Sequence, residues 1–137
     1  MSLIPSKEGN VIRFGHDIAI TKAKRIAYLS EICEQEICKG FISSVNGHHY
    51  KTDRDDQINF IGQKDVLSDN PQIESLFWKT QDAGYVEITR AEFFTIYQEG
   101  FMHKDRLIRK FGTLRNSVNL ASSKAEIESV VWDENGV

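Results

Sequence analysis

Three groups of residues are of types that do chemistry, and their spacing decides what each can be asked to do. His48 and His49 are adjacent. Imidazoles ligate metals and move protons. Neighbours on a strand point to opposite faces, however, so regular strand geometry does not bring both rings to one ion. His16 and His103 lie far away in sequence. Asp53, Asp55 and Asp56 resemble the start of a calcium loop. Such a loop needs a glycine at its sixth position and a glutamate at its twelfth. Counted from Asp53, those positions hold Ile58 and Lys64. The acids are therefore read as capping a helix N-terminus, where its dipole favours negative charge. Cys33 and Cys38 stand five residues apart in a helical segment. That spacing turns them about 140° from each other. They are read as small buried or half-buried hydrophobes, not as a disulfide or half of a zinc set.

Other catalytic patterns are missing. Gly9, Gly15, Gly40 and Gly47 are isolated and form no phosphate-cradling loop. There is no G-x-S-x-G elbow and no H-E-x-x-H pair. The expectation is a protein that is not an enzyme and takes no cofactor or metal.

Composition agrees with a binding role by elimination. The chain has 137 residues, with 40% hydrophobic and 27% charged. That fits one domain able to bury a core without staples. The formal net charge is −3, which gives no general case for nucleic acid or an anionic membrane. No apolar run approaches the ~20 residues of a membrane span. Met1 to Asn10 lacks the basic start and apolar stretch of a secretory signal, so synthesis in a cytosol-like compartment is expected.

The elements that must position any site follow from periodicity. Residues 1–16 read as an extended arm, with the β-prone piece Val11-Ile12-Arg13-Phe14 between Gly9 and Gly15. A single α+β domain is expected over 17–137. Apolar residues at helical spacing predict a helix over about Ile20 to Lys39, stopped at Gly40. Phe41 to Val45 and His48 to Thr52 flank Asn46-Gly47, which predicts a hairpin with a type I′ turn. A second helix is expected over about Asp55 to Ser68, capped by Thr52 or Asp53 and ended by Pro71. A second hairpin follows, with Leu76 to Thr80 and Tyr85 to Ile88 around Gln81-Asp82-Ala83-Gly84. Thr89 and Glu92 have capping-box spacing and open the longest helix, to about Leu120. Ser123 to Glu126 repeats that pattern and opens a short last helix. The fold class is α+β: two β-hairpins joined in a small antiparallel sheet, packed with three to four helices behind the arm.

Two surfaces stand out for contacts. Lys104, Arg106, Arg109, Lys110 and Arg115 make the third helix basic along its middle. This is read as a solvated face beside the Phe101–Phe111 seam, or as a dock for an acidic protein patch. Few aromatics interleave with the charges, so nucleic acid is not expected. Tyr50, Phe77, Trp78 and Tyr85 cluster on the hairpins, where core packing is the default and any exposed ring would be a partner hot spot. The candidate contact residues are Val11, Ile12 and Phe14 on the arm, His49, Tyr50 and Trp78 on the hairpins, and Arg106, Arg109 and Lys110 on the third helix.

The order of elements and several segments also support a comparison. These are the Lys-rich opening helix, the Gly40-Phe41 hairpin entry, and Tyr50-Lys51-Thr52-Asp53-Arg54-Asp55-Asp56. They continue with Trp78 to Ala83, Tyr85 to Glu92, Ser123 to Ile127, and Trp132. From about Ala23 to Trp132 the chain resembles a domain of unknown function that recurs in bacteriophage and prophage tail proteins. It is often found at the C-terminal end of tail-fibre or baseplate-associated chains. The resemblance implies a tail-assembly setting and no enzyme activity, and it assigns no site residues. The expectation it adds is a structural or assembly protein of the tail, resident in the virion after synthesis in the host cytoplasm. Expected partners are other tail, baseplate or fibre proteins, or further copies of the chain, with no nucleic acid or membrane. Alternatives are a tail-fibre assembly chaperone absent from the mature particle, or a small phage-encoded regulator of a host protein.

Overall fold

The computed structural model describes residues 7–133, with side chains from Asp17 onward. The order is α1 (Lys7–Lys39), β1 (Phe41–Ile42), β2 (His49–Tyr50), α2 (Arg54–Asp69), β3 (Ser75–Thr80), β4 (Gly84–Thr89), α3 (Arg90–Leu120) and α4 (Lys124–Ser129). The α+β class with two hairpins holds. The extended arm does not: from Lys7 onward its residues belong to α1. An isolated β-prone stretch has no strand to pair with, whereas each residue added to a growing helix closes one more hydrogen bond. Residues 1–6 lie outside the described part.

The hairpins form two separate two-stranded antiparallel sheets, not one. A single backbone bond, from Gln81 N to the His49 carbonyl (2.7 Å), ties the end of β3 to β2. The first hairpin is shorter than its sequence suggests. Phe41 pairs with Tyr50 and Ile42 with His49, and the strands stop there. A type I′ turn needs positive φ at both central residues. Gly47 has φ +75°, but among the described residues only glycines have positive φ. Asn46 instead takes a local bond, its Oδ1 accepting from His48 N (3.0 Å). Ser43 and Ser44 turn away to Glu99, which accepts from Ser43 Oγ (2.6 Å), Ser44 N (3.1 Å) and Ser44 Oγ. The second hairpin pairs in full register from Ser75↔Thr89 to Thr80↔Gly84.

Within α+β, the single domain expected over 17–137 groups into two compact units. One comprises the described residues up to Cys33 together with those from Arg109 on. Its core is Leu29, Val118 and Ile127, with Ile18, Ile26, Phe111, Leu114 and Trp132 packed around them. Two basic side chains satisfy carbonyls left open at helix ends. Lys22 Nζ donates to the Asn119 carbonyl (2.9 Å), and Arg25 donates to those of Val130 (2.9 Å) and Glu128 (3.0 Å).

The other unit runs from Glu34 to Ile108. Its core is Tyr50, Phe60, Leu67, Ile88, Phe93 and Ile96, with Phe41, Trp78, Val86 and Tyr97 against it. The Thr89–Glu92 capping box closes both ways, at 2.8 and 3.1 Å, and fixes where α3 begins. Arg90, the first residue of that helix, donates to the carbonyls of Leu67 (2.6 Å), Asn70 (3.2 Å) and Ile73 (3.3 Å). It thereby holds the C-terminal end of α2, which positions the wall described next.

Candidate functional site

A groove of about 740 Å³ runs between α2 and the β3–β4 hairpin, wholly inside the unit from Glu34 to Ile108. Its α2 wall follows from helical spacing. Ile58, Gly62 and Val66 form one row at i, i+4, i+8, and Asn59 and Gln63 the next. Ile58 and Val66 are exposed, as is Ile61 beside them. A side chain built on Gly62 would meet nothing within 4 Å. The row therefore carries a notch between two branched aliphatic residues. Trp78 supports the groove from the strand side. Its ring lies 5.0 Å from that of Phe60 and 5.2 Å from that of Phe93, so it is fixed by the core and only half-buried. Lys79, Thr80, Gln81 and Tyr85 complete the lining.

Asp53 and Asp56 lie at one end and are engaged by the helix itself. Asp53 is the N-cap of α2. Its Oδ1 accepts from Asp56 N (2.9 Å), and Asp56 Oδ2 accepts from Asp53 N (3.2 Å). The Asp56 backbone N–H holds the Asp53 carboxyl below its usual range, whereas burial pushes Asp56 up. Among the described residues no group of three or more His, Cys, Asp or Glu has the geometry to hold a metal ion. None of the helices is long and apolar enough, among those residues, to cross a membrane.

The two adjacent histidines bond to different partners, His48 from just before β2 and His49 as its first residue. His49 Nε2 donates to the Lys39 carbonyl (2.5 Å), and His48 Nδ1 donates to Asp82 Oδ2 (3.1 Å). Asp82 Oδ1 also accepts from His49 N (3.0 Å). Asp82 thus ties the β3–β4 loop to β2. Its pKa is lowered to about 2, first by the His49 backbone N–H and then by the His48 side chain. A depressed carboxylate stabilises the fold fully above its unfolded value, 3.8, and ceases to do so as pH falls through about 2. Asp82→Asn is expected to lower the thermal midpoint at neutral pH. The gap to the parent should close as pH falls from about 4 to about 2. Thermal melts across that range check it, and a pH-independent gap would contradict the assignment. His103 Nε2 is buried without a hydrogen-bond partner among the described residues. Burial, and then the nearby Arg106 charge, hold that imidazole below its usual pKa.

The remaining candidate contact residues are distributed as follows. Val11, Ile12 and Phe14 lie in α1, outside the described side chains. Tyr50 is fully buried and is not available to a partner. Its hydroxyl accepts from Asn46 Nδ2 (3.0 Å), and its ring stacks with that of Phe41 at 5.9 Å. Arg106 and Arg109 are exposed. Lys110 is half-buried, with Nζ 4.4 Å from the centre of the Trp132 ring and bonded to the Asp133 carbonyl. The basic run is therefore not one uniform solvated face. Lys104 Nζ donates to Gln57 Oε1 (2.5 Å), and Arg115 lies over the Phe111 ring at 5.5 Å. Ile58 and Val66 are not among the contact residues expected from the sequence; Phe77 and Tyr85 enter there only as rings that would be hot spots if exposed, and both are exposed. Strand alternation was the available signal for the rings: Trp78 faces the core, so Phe77 must face out.

A family model described as a domain of unknown function (DUF4376) matches residues 20–133. Neither a curated protein nor a solved structure matches the chain.

Proposed function

The chain belongs to the DUF4376 family, and we propose that it is a structural or assembly protein of a bacteriophage tail, working through protein contacts. The observation that carries the contact role is the α2 wall of the groove. Two aliphatic side chains, Ile58 and Val66, stand exposed in the groove on either side of a notch at Gly62, and Ile61 is exposed on the same helix. Apolar surface rimmed by polar side chains, here Asn59, Gln63 and Lys51, is the character of a protein-binding site. The tail setting is supported by the resemblance of the Tyr50–Asp56, Trp78–Ala83 and Tyr85–Glu92 segments to tail-protein domains. The partner is another tail, fibre or baseplate chain. Mass spectrometry of purified particles from a host producing this protein is the test. The chain is expected among the tail proteins at fixed stoichiometry. Its absence from mature particles would sink the structural role and favour an assembly chaperone.

A further inference from the structure

The outer face of the β3–β4 ribbon adjoins the groove, whose lining shares its Lys79 and Tyr85, and has an internal symmetry. Alternation exposes Ser75, Phe77 and Lys79 on β3, and Tyr85, Glu87 and Thr89 on β4. Register sets Phe77 beside Glu87 and Lys79 beside Tyr85. The four central side chains therefore form a rectangle with two aromatic rings on one diagonal and two opposite charges on the other. Both rings are strongly exposed, Phe77 at 64% and Tyr85 at 70%. The Lys79 side chain has no hydrogen bond or ion pair among the described residues. Glu87 accepts only from Ser75 Oγ, at 3.2 Å, and stays exposed.

We propose that two copies of this chain associate face to face through this ribbon, about a two-fold axis running along the Phe77–Tyr85 diagonal. A rotation about that line returns each ring to its own position, so Phe77 meets Phe77 and Tyr85 meets Tyr85 of the second copy. It carries each of the other two corners to within about 3 Å of the opposite one, a gap that the long Lys79 side chain spans, so each Lys79 meets Glu87 of the second copy. The surface is thus self-complementary in charge as a two-fold interface requires. A two-residue step of about 7 Å and a strand spacing of about 4.8 Å incline the diagonal by about 35° to the strands. The two ribbons then cross at about 70°, towards the orthogonal class of sheet packing. Six side chains a side cover less than the roughly 800 Å² per partner of a stable complex, so the dimer is weak and concentration-dependent. The inference stands apart from the tail reading, since it needs no other protein.

Sedimentation equilibrium of the whole chain over a concentration series tests it. The parent is expected to show a monomer–dimer equilibrium. Lys79→Glu puts Glu against Glu at both corners, and Glu87→Lys puts Lys against Lys. Each is expected to raise the dissociation constant about ten-fold or more. Mixed together, the two variants restore opposite charges at both corners and should associate at least as tightly as the parent. Both positions are exposed, so circular dichroism should show an unchanged fold. A parent that stays monomeric, association indifferent to both substitutions, or a mixture no tighter than either variant alone overturns the proposal.

Discussion

Replacing Phe93 with alanine is expected to destabilise the unit from Glu34 to Ile108 by about 3–5 kcal/mol. Phe93 is fully buried on α3 and sits among four rings. Those of Phe60, Trp78, Phe94 and Tyr97 lie 5.2 to 6.4 Å from its centre, in edge, tilted and stacked arrangements. Truncation removes the transfer energy of the ring, leaves a cavity and breaks several aromatic pairs at once. A loss of that size is a large share of the ~5–15 kcal/mol of a typical domain. The control is Phe77→Ala on β3, beside Trp78 but on the opposite face of the strand. That ring is exposed, so the change should stay within about 0.5 kcal/mol. Urea unfolding followed by the fluorescence of Trp78, with Trp132 replaced by phenylalanine, reads the effect. A Phe93→Ala midpoint close to the parent's would contradict the place of this ring at the centre of the core.

The second large effect is expected at Gly40, where α1 hands over to β1. Its φ is +83°, and its N–H donates to the Ile37 carbonyl (3.2 Å). A left-handed conformation costs an ordinary residue about 1–2 kcal/mol. Here a methyl group would also overlap the carbonyl of Tyr50. That carbonyl is backbone of the strand paired with Phe41, so no rotamer change relieves the overlap. Gly40→Ala is therefore expected to lose about 3 kcal/mol or more. Gly47 separates the two causes. It has φ +75° but open space around the added carbon. Gly47→Ala should lose only about 1–2 kcal/mol. Equal losses at the two positions, measured by denaturant unfolding, would contradict the crowding at Gly40.

These positions show how far local sequence carries. The bounds of α3 are legible, because Thr89 and Glu92 cap it with contacts three residues apart. The same holds for Gly40 as a helix stop and for Asp53 as the cap of α2. The end of the first hairpin is not legible. Ser43 N still bonds the His48 carbonyl, but Ser44 N and the Ser43 hydroxyl turn to Glu99, more than fifty residues away in sequence, and no local pattern announces those bonds. The two hairpins separate for a similar reason, since each packs against helices and only one backbone bond joins them. On β3, period two says that Phe77 and Trp78 face opposite ways. Which one faces in is decided by Phe60 on α2 and Phe93 on α3. Trp78, half-buried against those two rings, also lines the groove, and Phe77 stands on the opposite face of the strand. The groove was hidden for a related reason. Ile58 and Val66 carry the periodicity of a buried helix face, and only the packed structure shows them exposed.

The proposed tail role places partner binding on the α2 wall of the groove. Ile58→Asp combined with Val66→Asp tests that most directly, because both side chains are exposed and neither belongs to the core. Tagged parent and double variant would each be expressed with the tail, baseplate and fibre chains of the same phage, captured, and weighed against those chains. The parent is expected to retain a tail protein, and the double variant, folded by circular dichroism, to lose at least nine-tenths of it, about 1.4 kcal/mol or more of binding. Equal retention by parent and variant would contradict the account.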